Sequence, residues 1–340
     1  MAKHALCDFM CHSCSVGASG GETHQRILKS ICFLGRKHGL YTKDEWRPPS
    51  FSGGVQPEED EYTPSIDMVW FIDLVDALGK DKFDRLYLVV SEWTDGKIPK
   101  DTLRFVPYVA FEVEVSDPTS KTVYSDFHNM VATRAAIKIE VIREVSDMNL
   151  KRAERIRNSA AWLCGDEDMF VLTPYMLEDI LKMKERFSAS CLLTERKAHR
   201  LGLVQKKLVS LGEKLNLKAE VEFTPPERMK VYTPRLDVAW LLGVPKSAAD
   251  LMATISKKYS LKITRDLCHL TLFGFEYEKK TGHKHMAGGV ANLSRHSYIG
   301  FLITPSEKTS IARRIVNKYS LAFGFNNVFV VDEDVILEEA

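Results

Sequence analysis

Two α/β domains in tandem, each a mixed central sheet flanked by helices, are what this sequence predicts, because it carries the same order of segments twice. YTPSIDMVW at 62–70 returns as YTPRLDVAW at 232–240, with Tyr-Thr-Pro, Asp and Trp in register at an offset of 170. AFEVEVS at 110–116 returns as GFEYEKK at 274–280, at an offset of 164. AERIRN at 153–158 returns as ARRIVN at 312–317, and Phe170-Val171 as Phe329-Val330, both at an offset of 159. Offsets that fall along the chain imply small deletions between shared elements, as expected of a diverged duplication. A chain of 340 residues can bury a core in each half. The expected organisation is a tail at 1–20, a first domain at 21–190 and a second at 191–340.

Composition narrows the setting. A net charge of +1 advertises no global affinity for nucleic acid, although a local groove can be basic inside a neutral protein. No apolar run reaches the length of a membrane span, and the first residues lack the charged-then-apolar pattern of a signal peptide, so no membrane partner is expected. Seven scattered cysteines argue against a disulfide framework and for a reducing, cytoplasmic compartment. Cys7, Cys11 and Cys14, with histidines nearby, could hold zinc, but a lone CxxC lacks the second pair that a structural site shows. Unrelated thiols on a terminal tail are the expectation, with zinc the alternative.

The elements follow in order. From residue 21 the pattern is helical, with Ile27, Ile31 and Leu34 on one face and Gly39 as the stop. Glu22 falls in the first turn, where an acid favours the helix dipole. Residues 47–62, rich in Pro, Gly and acid, read as an exposed loop. Residues 66–71 read as a strand carrying Asp67, and 86–90 as a further apolar strand. Residues 106–115 read as a strand whose alternation puts Glu112 and Glu114 on one side and Phe111, Val113 and Val115 on the other. A helix at 124–136, a buried strand at 137–142, a helix at 149–162, a strand at 169–174 and a charged helix at 175–187 complete the first half. The second half repeats this with a helix at 194–215, a strand bearing Asp237, a helix at 248–258, the Glu-x-Glu strand at 270–278, a strand at 298–303 and a helix at 311–319. Trp70 and Trp240, at matched positions beside the Asp strand, read as core residues.

An Asp on one strand and alternating Glu residues on its neighbour can gather Asp67, Glu112 and Glu114 at one sheet edge. Hard oxygen ligands of that kind suit Mg²⁺ or Mn²⁺, which activate water and offset charge developing on a phosphodiester. A single such strand is usually a solvated face. Here the acids recur in both copies on strands that are otherwise apolar, where an unpaired carboxylate is costly to bury. No Walker loop, nucleophile elbow or dinucleotide fingerprint is present.

These residues resemble the PD-(D/E)XK nuclease superfamily, which includes restriction endonucleases and Holliday-junction resolvases. The resemblance runs once per half and implies two restriction-endonuclease-like domains in one chain. It implies that Asp67 and Glu112, and Asp237 and Glu276, are the metal ligands. Glu114 and Glu278 stand where the family places Lys. They are the candidate general bases, with Lys121, Lys279 and Lys280 as nearby alternatives. Glu22 resembles the family's helix acid, and the stretch around His199 in the second copy retains no acid at that spacing. Asn129 and Asn292, on the helix after each Glu-x-Glu strand, could contact phosphate or hold a motif acid. Lys284 and Arg295, with His283, His285 and His296, form a donor-rich rim in copy two, opposite Lys121, His128 and Arg134 in copy one. The implied activity is metal-dependent hydrolysis of double-stranded DNA, by a monomer with two sites or a homodimer. The alternatives are a structure-specific repair nuclease and a non-catalytic nucleic-acid-binding protein.

Overall fold

The computed structural model describes residues 21–48, 64–116, 119–143, 147–164, 168–184, 186–191, 201–225, 234–279 and 283–338. The tail with Cys7, Cys11 and Cys14, most of the 47–62 loop, and Lys280 lie outside the described residues. The first half runs α1 (Glu22–Lys37), β1 (Tyr41–Trp46), β2 (Ile66–Asp73), α2 (Leu74–Leu78), α3 (Lys80–Trp93), α4 (Lys100–Arg104), β3 (Phe105–Glu114), α5 (Ser120–Ala132), β4 (Ile137–Ile142), α6 (Asp147–Cys164), β5 (Met169–Leu172) and α7 (Pro174–Lys182). The second runs α8 (Leu203–Lys214), β6 (Lys218–Phe223), β7 (Leu236–Gly243), α9 (Lys246–Lys258), β8 (His269–Tyr277), α10 (His283–His296), β9 (Ile299–Thr304), α11 (Thr309–Phe323), β10 (Val328–Asp332) and α12 (Glu333–Glu338).

The two sheets have one plan. The first has the order β1-β2-β3-β4-β5, antiparallel across β1–β2 and β2–β3 and parallel across β3–β4 and β4–β5. The second repeats that order and sense through β6-β7-β8-β9-β10. Parallel neighbours need crossovers, and the segments supplying them, α5 and α6 or α10 and α11, are the repeated helices of the sequence. The duplication reaches small defects: the register slips between Trp70 and Phe71 in one sheet and between Trp240 and Leu241 in the other.

The matched tryptophans explain a pair of glycines. Trp70 Nε1 donates to Ile31 O at 3.1 Å, and Trp240 Nε1 donates to Leu208 O at 3.0 Å, so each indole lies under the first helix of its half. A Cβ at Gly35 would stand 2.6 Å from Trp70 Nε1, and one at Gly212 would stand 2.7 Å from Trp240 Nε1. Neither neighbour can yield easily, because both indoles are buried. Gly212→Ala is therefore expected to destabilise the fold by roughly 1–3 kcal/mol, the usual cost of overpacking a core, as read by urea denaturation.

Four expectations change. Residues 86–90 form part of α3, not a strand. Phe83, Leu86, Val90 and Trp93 are buried at helical spacing, whereas Leu88 is 67% exposed, a pattern that alternation would not produce. The apolar run looked like a strand because Val89 and Val90 sit side by side, yet only one face of it is core. Trp93 at the helix end enters the second half, with ring centroids 5.2 Å from Phe301 and 5.9 Å from Trp240. The edge strands β1 and β6 were not expected, since YTKDEW and KAEVEF are too polar to announce burial. The helix expected at 175–187 stops at Lys182. The chain after it lies along α9, where Phe187 N donates to Thr254 Oγ1 and Ala189 N to Asp250 Oδ1, both at 2.9 Å.

The last change concerns cysteine. Cys191 is bonded to Cys268, which removes the cysteine argument for a reducing compartment. The bond closes a loop of 77 residues. Cys191→Ser is expected to cost about 2–4 kcal/mol, and non-reducing peptide mapping should recover the linked pair. Among the described residues no helix is long and apolar enough to cross a membrane.

Candidate active site

The acids meet because of strand register. Met68 pairs with Phe111 across β2 and β3, which brings Asp67 beside Glu112. Asp67 Oδ2 accepts the Val113 N–H at 2.8 Å, and the Asp67 N–H reaches Glu112 Oε2 at 3.3 Å. The second half repeats the clasp, with Asp237 Oδ2 accepting the Tyr277 N–H at 2.8 Å. The Asp strand is thus pinned to the Glu strand by a side chain as well as by the ladder.

The first half adds acids that its motif does not announce. Glu112 pairs with Glu140 in the parallel ladder of β3 and β4, so both side chains leave the sheet on one face. Asp126, on α5, covers that face. Glu140 is 0% exposed, and among the described residues neither carboxylate oxygen has a hydrogen-bond partner. Burial pushes Glu140 up to about 9, with the charges of Asp126 and Glu114 adding to it. Burial likewise raises Asp126 to about 7, with Glu114 and Asp67 adding. Glu112 is raised well above the usual carboxylate range, by burial first, then by Asp67 and Asp126. The charges that press on these groups are other carboxylates.

At the second half's matching positions Gly289 replaces Asp126, and Leu302, paired with Glu276, replaces Glu140. Three acids remain. Burial raises Glu276 to about 8, Asp237 adds to that, and Asn292 Nδ2, donating at 3.3 Å to Glu276 Oε1, opposes it. Burial also raises Asp237 and Glu278, and His285 opposes the shift at Glu278.

The other expected residues divide. Glu114 is half-exposed at the strand end, where its Oε1 accepts the Ser116 N–H at 2.9 Å. Lys121 and Lys279 are exposed and form no ion pair with these acids among the described residues. Asn129 is half-buried on α5, one turn beyond Asp126. Glu22 is exposed and pairs with Arg26 on its own helix, while His24, two residues on, places Nε2 3.3 Å from Asp67 Oδ2. The basic rim of copy two is split. Lys284 lies exposed in the first turn of α10 with His285, whereas Arg295 and His296, at the far end of that helix, line a cavity between the halves.

The site residues legible only in the structure are His24, Asp126 and Glu140. Asp126 and Glu140 follow the Glu-x-Glu strand on the next helix and strand; Glu140 had a sequence signal as the one acid of the strand IKIEVI, whereas Asp126, in the mixed helix SKTVYSDFHNMVA, had none.

Among the described residues, no group of three or more His, Cys, Asp or Glu is arranged to hold a metal ion. The donor chemistry fits one nevertheless. The first cluster is all hard oxygen apart from His24, and Glu140 presents two buried oxygens that no hydrogen bond among the described residues satisfies. No protein-family model, no curated protein and no solved structure matches the chain. What stands is two similarly built α/β domains, consistent with a PD-(D/E)XK-like fold.

Proposed function

We propose that this chain is a metal-dependent DNA endonuclease, a pseudo-dimer whose halves span 21–190 and 191–340. The observation that carries the reading is the repeated Asp clasp set beside buried carboxylates. Asp67 and Glu112, with Asp126 and Glu140 behind them, hold Mg²⁺ or Mn²⁺ in the first half; Asp237 and Glu276 do so in the second. The ion supplies charge neutralisation at the phosphate and lowers the pKa of a water. Glu114 and Glu278, at the open ends of their strands, would take the proton from a water attacking phosphorus as the P–O ester bond breaks and the leaving oxygen is protonated from solvent. Lys121, in the first turn of α5, and Lys279, just after β8, steady the phosphate. Asn129 and Lys284 contact the DNA backbone, joined by Arg295 at the groove margin, while Asn292 both orients Glu276 and approaches the phosphate. An enzyme working as a monomer with two sites, or as a homodimer, fits this arrangement.

The two halves do not weigh equally. Loss of the Asp126 and Glu140 counterparts favours a second half that positions DNA more than it cuts it.

The test is incubation of plasmid, phage and four-way-junction DNA with the protein in Mg²⁺ or Mn²⁺, against EDTA and the Glu112→Ala/Glu276→Ala double variant. Discrete fragments that the double variant does not make establish a sequence-specific nuclease. Cleavage confined to junctions moves the activity to repair. Binding without cleavage of any substrate leaves the nucleic-acid-binding alternative.

A further inference from the structure

The repeat retains residues that packing does not ask for. AERIRN on α6 and ARRIVN on α11 share Ala, Arg, Ile and Asn in register. Ala153 and Ala312 are buried, and Ile156 and Ile315 pack into the apolar clusters beneath these helices. Arg155 and Arg314, and Asn158 and Asn317, are exposed. Seven residues beyond each Arg stands a large apolar side chain, Trp162 at 81% exposure and Leu321 at 83%. Positions i, i+3 and i+7 share one helix face, so Arg, Asn and the apolar residue form a single exposed stripe on each copy. Inner positions have changed instead: Arg157 becomes Val316, and Ala160 becomes Tyr319. Helix propensity does not account for the stripe, because Asn is a poor helix former. Neither Asn158 nor Asn317 has a side-chain hydrogen bond among the described residues.

Both helices are also short of acids. Past its first residue α6 has Glu154 alone against Lys151, Arg152, Arg155 and Arg157, and α11 has Arg313, Arg314 and Lys318 with no acid. Arg152 is engaged, its Nε donating to Ser120 Oγ at 2.8 Å. Lys151, Arg155, Arg157, Arg313, Arg314 and Lys318 form no ion pair among the described residues. Positive charge is thus concentrated on these two outer helices, in a chain whose net charge is +1. The bond from Arg152 to the first turn of α5 sets the start of α6 beside the sheet end that carries Glu114. From Lys151 to Trp162 the face runs about 16 Å at 1.5 Å per residue, the length of roughly five base pairs.

We propose that the solvent faces of α6 and α11 bind the backbone of duplex DNA on the two flanks of the cut. Arg155 and Asn158, and Arg314 and Asn317, contact phosphates, with Trp162 and Leu321 against the sugars. Guanidinium and amide donors suit phosphate oxygens and position a duplex without reading its sequence. Unpaired cations with almost no acid among them complement a polyanion. The inference rests on the reading of the chain as a DNA endonuclease and adds a contact outside the acidic clusters. One such face per half lets both halves hold the duplex even if one of them cuts poorly.

The test is fluorescence anisotropy of a labelled duplex of about 30 base pairs, titrated with the full chain in EDTA at several salt concentrations. Cleavage of the same duplex is followed separately in Mg²⁺. The Arg155→Glu/Arg314→Glu variant is expected to bind about tenfold or more weaker at about 0.1 M salt, with a log–log salt slope smaller by roughly 2. Trp162→Ala/Leu321→Ala should weaken binding by about threefold or more at unchanged slope, since an apolar contact releases no counterion. Circular dichroism and urea denaturation separate loss of binding from loss of fold, and all four side chains are exposed. The proposal is overturned if the folded arginine variant keeps the affinity and slope of wild type, a result that leaves the nuclease reading standing where wild type cleaves. Arginine-dependent binding with no cleavage by wild type supports this face and removes the nuclease. Absence of binding by wild type removes both. Sedimentation velocity tests a second copy as the occupant: if Trp162→Ala/Leu321→Ala dissociates a dimer and binds DNA as wild type does, the proposal is overturned.

Discussion

Glu112→Ala is expected to lower DNA cleavage by about a thousandfold or more, whereas Glu276→Ala lowers it by no more than about tenfold. The two residues are equivalent in the repeat and are both buried. Their surroundings are not. Glu112 has Glu140 beside it in the ladder and the charge of Asp126 acting on it. Glu276 has Leu302 and Gly289 in those places, and Asn292 hydrogen-bonded to it. A divalent cation gains most where several carboxylates must otherwise stay protonated or repel one another. Single-turnover cleavage of a supercoiled plasmid measures both variants on one substrate. Equal losses would refute the asymmetry, and accumulation of nicked circles in both variants would assign one strand to each half.

The second large effect is on stability. Glu140→Gln should leave the protein nearly as stable as wild type at pH 5 and make it more stable by several kcal/mol at pH 8.5, in EDTA. Below 4.5, the ordinary value for Glu, the carboxyl is neutral in both folded and unfolded chains. Between 4.5 and about 9 the unfolded chain releases the proton while the folded chain keeps it. Stability from this group is therefore complete at low pH and declines by roughly 1.4 kcal/mol per unit as pH rises through that window. Asp126, raised to about 7, adds a decline that ends sooner. Glutamine does not titrate, so its own cost of burial is the same at both pH values and cancels in the comparison. Urea denaturation at the two pH values gives the difference. A gain independent of pH would mean that Glu140 is ionised in the folded chain, against the reading of a protonated, unpartnered carboxyl.

How much of this was legible in the chain differs by element. The repeat was, because Tyr-Thr-Pro, Asp and Trp around Asp67 and Asp237, and Phe-Glu-x-Glu around Glu112 and Glu276, recur in register. So was the sharing of a face by Glu112 and Glu114, since alternation along a strand is a local property. Glu22 was singled out and His24 was not. Choosing between them requires knowing which side of α1 meets β2, and only packing sets that. The same holds for α3, whose apolar run is short enough to fit either period until Trp93 is seen against Phe301 and Trp240.

By itself, then, the sequence determined two α/β halves and the recurrence of an Asp strand and a Glu-x-Glu strand in each, which follow from local period and repetition. The tertiary structure alone decided that Glu140 and Asp126 join the first cluster and that Cys191 meets Cys268. Those are contacts between segments far apart in the chain. Their existence depends on strand register and on how the two sheets pack, and neither leaves a mark on the residues immediately around each side chain.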